Sequence, residues 1–330
     1  AVNPNIRTPY SMQYNLTIEH ERWNTGFRIS YVGTNTRQGE WAYNINQPIP
    51  DERPYWEKPR MFPQYPGISY YTNGAGHQYH SLNFEAERRF QQGLAYQFSW
   101  VWARDIGDLD RGESPENAYD RKRERSVAVD IPTHRVAANV IWELPFGRGQ
   151  KFGSNISRAL DLAIGGWELS TIVLYSSGQF LTPQWTGPDP TGTAYTGSKT
   201  PAQVTIRPDI LRDPNLPSDQ RSPNRWFDPS AFAPPPVGRF GTSAKGVIKG
   251  PPSSVVHAGL AKWFRFSERI RARAEITATN LFNHPNWSDP ATNISSPATV
   301  ATIGGVGASG TAEYDQVGPR LFRAGFRIEW

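Results

Sequence analysis

The chain has 330 residues, 37% of them hydrophobic and 13% aromatic, with a net charge of +5 and no cysteine. Disulfides, thiolate metal sites, a cysteine nucleophile and a lipid-bearing cysteine are therefore excluded. The dispersed basic residues give no nucleic-acid footprint, and no apolar run of about 18 residues marks a membrane helix. Transmembrane β-strands escape that last test, because every second residue of such a strand is polar.

The start, Ala1-Val2-Asn3-Pro4, has neither the charge nor the apolar run of a signal peptide, which reads as a mature chain or a fragment. The first strand is expected at about 12–21, where Met12, Tyr14, Leu16 and Ile18 alternate with Gln13, Asn15, Thr17 and Glu19. A turn at Trp23-Asn24-Thr25-Gly26 returns the chain as Phe27, Ile29 and Tyr31. Residues 37–76 show no sustained period. They mix prolines with Trp41, Tyr55, Trp56, Tyr70 and Tyr71, which reads as an ordered loop. A second hairpin follows: Leu82, Phe84 and Ala86, a turn at Phe90-Gln91-Gln92-Gly93, then Leu94, Tyr96, Phe98, Trp100 and Trp102. Paired tryptophans near a strand end suit an interfacial aromatic girdle.

Residues 105–133 form a charged loop before a fifth strand, carried by Val136, Ala138, Val140, Trp142 and Leu144. A sixth strand is expected at 167–176, with less clean faces because Ile172 and Leu174 fall on the polar parity. The stretch 182–252 is the longest loop and is dense in Pro, Gly, Asp and Thr. Strand seven spans about 255–264. A tight turn at Ser267-Glu268 leads to strand eight, where Ile270, Ala272, Ala274, Ile276 and Ala278 oppose Arg271, Arg273, Glu275, Thr277 and Thr279. After a loop at 280–319 the chain ends on Phe322, Ala324, Phe326, Ile328 and Trp330 alternating with Leu321, Arg323, Gly325, Arg327 and Glu329. Ten alternating residues match a tilted strand that crosses a hydrocarbon core.

Short and long connections alternate, and only the connector after strand five blurs the pattern. Outer-membrane barrels have short periplasmic turns and long outer loops, whereas a soluble sandwich has no reason to gather its long connections at one end. The nine strands are an odd number, and a closed bacterial barrel takes an even one. The expected fold is thus an all-β, antiparallel transmembrane β-barrel, present as the C-terminal part of a larger one. Asn24, Gln91 and Glu268 fall at the short-turn end, and Trp56, Asp110, Trp226 and Ala301 at the other. With two unpaired edges, the sheet should be curved and open. Phe98, Trp100, Ile276 and Phe326 should face lipid, and Gln97, Ser99, Glu275 and Arg327 the lumen.

Several blocks carry a family resemblance. They include Tyr14-Asn15-Leu16-Thr17-Ile18-Glu19, Tyr31-Val32-Gly33-Thr34, Tyr79-His80-Ser81-Leu82 with Arg88-Arg89-Phe90, and Trp142-Glu143-Leu144-Pro145-Phe146-Gly147-Arg148-Gly149. Gly165-Gly166-Trp167-Glu168-Leu169-Ser170, Ser177-Gly178-Gln179-Phe180, Asn280-Leu281-Phe282-Asn283-His284-Pro285-Asn286 and the last strand complete the set. Over residues 11–330 the chain resembles the barrel of Oar-like TonB-dependent outer-membrane receptors, which carry a carboxypeptidase-regulatory-like domain upstream. The resemblance implies a barrel of about 22 strands, an N-terminal plug, and energy supplied by an inner-membrane complex through a TonB box. Plug, box and regulatory-like domain have no counterpart in residues 1–330. Contact with the TonB complex would therefore run through that N-terminal region. Trp330 stands where these receptors more often have Phe.

The candidate residues each have a plain and a functional reading. Arg271, Arg273, Glu275, Arg323, Arg327 and Glu329 share the lumen parity, as a cross-strand charge ladder or as a path for an anionic solute. The loop aromatics Trp56, Tyr70, Tyr71, Trp185 and Trp226 either pack the loops on themselves or stack on a sugar or chelate. Phe326, Ile328 and Trp330 are the assembly signal that the barrel-assembly machinery would read, with outer-membrane lipid as the surrounding solvent. Asp105, Asp108, Asp110 and Glu113 are hard oxygen ligands suited to calcium, but without the spacing of a known calcium loop, so a solvated acidic loop is the plainer reading. His77 and His80 should point to opposite faces of a strand and share no ion. Gly305–Gly310 matches GxGxxG without the helix that a dinucleotide site needs. No cofactor and no enzymatic activity are expected. The function expected is uptake of a scarce solute, glycan or chelate, by the whole receptor. A secreted all-β carbohydrate-binding protein and a passive porin are the alternatives.

Overall fold

The computed structural model describes residues 1–108, 114–267, 269–306 and 318–330. Its framework is nine long strands: β1 (Tyr10–Arg22), β2 (Thr25–Asn44), β3 (Ser69–Gln91), β4 (Leu94–Gly107), β5 (His134–Glu143), β6 (Trp167–Ser176), β7 (Ser253–Arg265), β8 (Arg271–Thr279) and β9 (Leu321–Glu329). Each pairs antiparallel with its neighbours in the chain, so the sheet runs in sequence order from β1 to β9. The two end strands do not meet and the sheet stays open, as an incomplete barrel wall must.

The register explains why the alternation is so regular. Ile18, Ile29, Phe84, Trp100 and Val136 pair in succession across five strands. One residue along, Glu19, Arg28, Glu85, Ser99 and Ala137 do the same on the opposite face. The pattern continues through Leu260, Ile276 and Ala324 on the apolar side and Ala261, Glu275 and Gly325 on the polar side. A slip of one residue would exchange the faces of a whole strand. Phe98, Trp100, Ile276 and Phe326 therefore share the apolar face, and Gln97, Ser99, Glu275 and Arg327 the polar one. Ile172 and Leu174 do lie on the polar face, opposite His257 and Val255 of β7.

Two tight turns are built from left-handed residues. Trp23 and Asn24 have φ of 53° and 57°, and Gln92 and Gly93 have 55° and 78°. Two consecutive positive φ values define the hairpin turn whose twist matches the strands it joins.

The structure corrects the sequence expectation in three places. Residues 37–44 and 69–76 are strand, not loop: β2 and β3 run 20 and 23 residues, about twice the 9–11 that a crossing needs. Beyond the hydrocarbon the ladder continues with a few local side-chain contacts, and no sustained apolar period marks it. Register shifts at Thr36/Gly39 and Gly39/Glu40 further break the period, while Trp41 packs on Ala75 and Tyr43. Asp105 likewise belongs to β4, which extends to Gly107.

The long segments 177–252 and 280–306 also fold together as a cap. Short pairings join 180–181 to 248–249, 185–188 to 203–206 and 209–210 to 232–233. Beneath them lies a core of Trp226, Phe227, Ala231, Phe232, Ile248 and Ala301. Finally, the connector after β5 holds a helix that the sequence reading did not anticipate, α1 (Arg158–Ile164). The four residues 307–310 of the glycine motif, and Glu268 in the β7–β8 turn, lie outside the described residues.

Candidate functional site

At the long-loop end, two segments far apart in sequence meet around a cavity of about 410 Å³. One wall comes from 52–56, the other from 185–202, with Pro235 and Val237 completing the lining, and Trp56 and Trp185 both line it. Pro54 starts a single helical turn, Tyr55–Glu57. There Tyr55 is buried, its hydroxyl donates to the Pro66 carbonyl at 2.8 Å, and the Arg60 guanidinium lies 4.7 Å from its ring centre. The Tyr55 ring also meets Tyr195 edge-on at 5.6 Å. This leaves the next residue, Trp56, at the cavity.

Trp185 opens the short strand Trp185–Pro188, and its indole lies across Gly187, where a Cβ would come within 2.4 Å of the ring. Asp189 then shapes the turn that follows. It accepts from the Thr191 amide at 2.9 Å, the Thr191 hydroxyl at 2.7 Å and the Ala194 amide at 2.8 Å.

The two walls are locked by Lys58. Its buried ammonium donates to the carbonyls of Ile49 (2.9 Å), Asp51 (3.1 Å) and, across the interface, Thr191. Gly192, at φ +59°, sits so close that a Cβ would meet the Arg53 carbonyl at 2.2 Å. Hydrogen bonds from Arg53, with help from Lys58, hold the Asp51 carboxyl well below the usual carboxylate range. The result is an aromatic, proline-rich pocket with a few fixed polar groups, the usual make-up of a small-molecule site.

A second cavity of about 350 Å³ lies among the ends of β3 and β4, the 114–129 segment and the cap. Its charges are already committed. Arg207 bonds Glu124 at 2.7 Å and Glu116 at 3.0 Å, and Arg123 bonds Glu116 at 2.7 Å. Glu124 is 1% exposed and Arg207 3%. Burial raises the Glu116 pKa, but Arg207 and Arg123 outweigh it, so the carboxyl stays below its ordinary value. This network joins loop to cap and reads as a structural clamp.

The other sequence candidates are placed as follows. Trp226 is 8% exposed in the cap core, with its indole N–H donated to Lys249, so it leaves the set of ligand aromatics. Tyr70 packs edge-on against Tyr43, and Tyr71 bridges Val2 on the extended arm of β3; neither lines the aromatic cavity. The lumen charges form a ladder: Arg271 with Glu329, Arg273 with Glu168 (3.1 Å) and Glu275 (3.1 Å), Arg327 with Glu329 (3.1 Å). Arg323 stands opposite Thr277 one step up.

Asp108 is held by Arg121 at 2.6 Å and Arg125 at 3.5 Å, and Asp105 faces His77 at 3.6 Å. Guanidinium groups thus occupy a carboxylate that calcium would need. Asp110 and Glu113 lie outside the described residues. His80 bonds the Tyr31 hydroxyl through Nδ1 at 2.7 Å, on the face opposite His77. Phe326, Ile328 and Trp330 are exposed along the open edge, at 67%, 50% and 91%.

Sequence reasoning missed Tyr55, Lys58, Asp189 and the Arg207 network. The Asp189-Pro190-Thr191-Gly192 turn signal was available. The contact of Lys58 with Thr191 and the partners of Arg207 were not, because they are distant in the chain.

Among solved structures, the chain is similar to the outer membrane transporter YddB from Escherichia coli, with 10% identity and a TM-score of 0.44, covering 98% of this chain and 33% of that one. It is also similar to a variant of the ferric enterobactin receptor PfeA from Pseudomonas aeruginosa, with 12% identity and a TM-score of 0.39, covering 99% of this chain and 32% of that one. The chain thus spans about a third of the length of these structures. No curated protein matches it. The family model described as "Outer membrane beta barrel domain" matches residues 1–321, so the chain belongs to that family and its nine strands are part of a β-barrel wall in the bacterial outer membrane.

Proposed function

We propose that residues 1–330 are the C-terminal portion of the barrel of an Oar-like TonB-dependent receptor that takes up a scarce solute of the glycan or chelate class. The plug and regulatory-like domain would belong to the upstream part of the receptor. Contact with the TonB complex would be made there, and the exposed last strand would be read by the barrel-assembly machinery. The reading is supported by the sequence blocks quoted above, by barrel-family membership, and by one observation above the others. Trp56 and Trp185, from separate long loops, meet at one cavity on the end opposite the short turns. Flat aromatic walls stack on the apolar faces of sugar rings or aryl chelates, and a few fixed polar groups then set orientation. The polar strand face below, with its paired charges, would let a hydrated solute pass once the plug moves.

The test is solute capture by the full-length receptor. Trp56→Ala and Trp185→Ala should each weaken binding by about tenfold, in line with the loss of one aromatic contact, while heat-modifiable gel mobility stays normal. Trp226→Phe should leave capture unchanged. Unchanged affinity in both alanine variants, against a panel of oligosaccharides and iron chelates, would overturn the assignment of the pocket.

A further inference from the structure

The connector 144–166, at the short-turn end, holds apolar side chains left uncovered by the described residues. No residue of α1 is buried. Leu160 and Leu162 are each 47% exposed and Ile164 38%. Phe146 and Phe152, whose rings meet at 5.6 Å, are exposed beside them.

Yet polar bonds fasten the segment. Ser157 caps the helix by accepting from the Leu160 amide, and Asp161 accepts from the Arg148 amide at 2.7 Å. The Trp167 indole donates to the Ala163 carbonyl at 3.0 Å. Lys262 donates to the carbonyls of Ala163 (3.2 Å) and Gly165. Lys262 and Trp167 stand opposite each other in the β6–β7 register, on the apolar, lipid-facing side of the wall. The ammonium also sits 4.6 Å from the Trp167 ring centre and 5.4 Å from that of Phe264. The carbonyl end of α1 is therefore fastened outside the barrel wall, not inside the lumen. Without it, the Lys262 charge would face hydrocarbon.

We propose that this connector is an interfacial anchor that binds anionic phospholipid in the periplasmic leaflet. Its apolar side chains extend the lipid-facing surface at the level of Trp167 and Phe264. Its charges fit phosphate: Arg148, Lys151 and Arg158 are basic, and the carboxylate of the one acid, Asp161, already accepts from the Arg148 amide. An apolar segment with a basic fringe, continuous with a wall that already contacts lipid, has the make-up of an interfacial element. The proposal does not depend on which solute the receptor carries.

Two measurements on the full-length receptor test it. In native mass spectrometry with equal phosphatidylglycerol and phosphatidylcholine, the wild type should retain phosphatidylglycerol preferentially. The triple variant Arg148→Gln, Lys151→Gln, Arg158→Gln should lower that retention by about tenfold, since each basic group near a charged bilayer contributes. A spin label on Leu162→Cys, in nanodiscs, should be reached by oxygen and not by an aqueous nickel chelate. Equal phosphatidylglycerol retention in the triple variant would overturn the proposal. So would a label open to the nickel chelate, or one shielded from both reagents, which would mean that protein covers the patch.

Discussion

Arg207 shows how one residue can hold two distant segments. It bonds Glu116 and Glu124 from inside a nearly water-free site. Removing one member of a buried ionic group strands the others, at a cost of about 3–5 kcal/mol. Arg207→Ala should therefore loosen the join between loop and cap, read as faster hydrogen exchange at 114–129 and 203–210 while the strands stay protected. Asp228 tests the acid side. Burial opposes its charge, but hydrogen bonds from Ser230 and Arg212 lower its pKa from 3.8 to about 2. A carboxyl held below its unfolded value adds stability above pH 3.8 that is lost as the pH falls toward 2. The cap around Trp226 should loosen over that window, followed by near-ultraviolet dichroism, and Asp228→Asn should weaken the pH response.

At the scale of the strand, the alternating pattern carries a direct test. Ile276 pairs with Leu260 and Ala324 on the lipid face, and Thr277 with Gly259 and Arg323 on the lumen face. Arginine at position 276 should cost the full-length receptor about 2–4 kcal/mol, and arginine at 277 much less. Equal unfolding midpoints in urea for the two variants would contradict the face assignment. All nine strands were legible in the sequence, because each must show lipid one face and water the other. The upper arms of β2 and β3 were not, because beyond the lipid the two faces no longer contrast along the whole strand and the register shifts at Gly39 break the period. Helix α1 was missed for a related reason: its seven residues, RALDLAI, are too few to display a helical period.

For the whole molecule, orientation is the open test, since loops capture a solute only if they face outside. Trp226 and Ala301 are buried in the cap and suit no accessibility probe. Val237, 67% exposed on the cap, and Gln91, in the second hairpin, serve instead. The chain has no native cysteine, so Val237→Cys and Gln91→Cys report cleanly. In intact cells making the full-length receptor, an impermeant thiol reagent should label position 237 and not 91. The reverse pattern would place the short turns outside and remove the basis for an outer capture site.

By itself the sequence determined the strand count, the faces, the antiparallel order and the open edges. Strands and faces follow from a local period of two residues set against lipid and water, the order from the alternation of short and long connections, and the open edges from the odd strand number. The aromatic pocket, the Lys58 lock, the Arg207 clamp and the burial of Trp226 were decided only by tertiary structure. Loop residues such as Trp56 and Trp185 carry no period, and their meeting depends on contacts between segments more than a hundred residues apart, such as that of Lys58 with Thr191. Composition announces that such loops pack, but which aromatic ends in the core and which lines a cavity is settled by the fold of the cap.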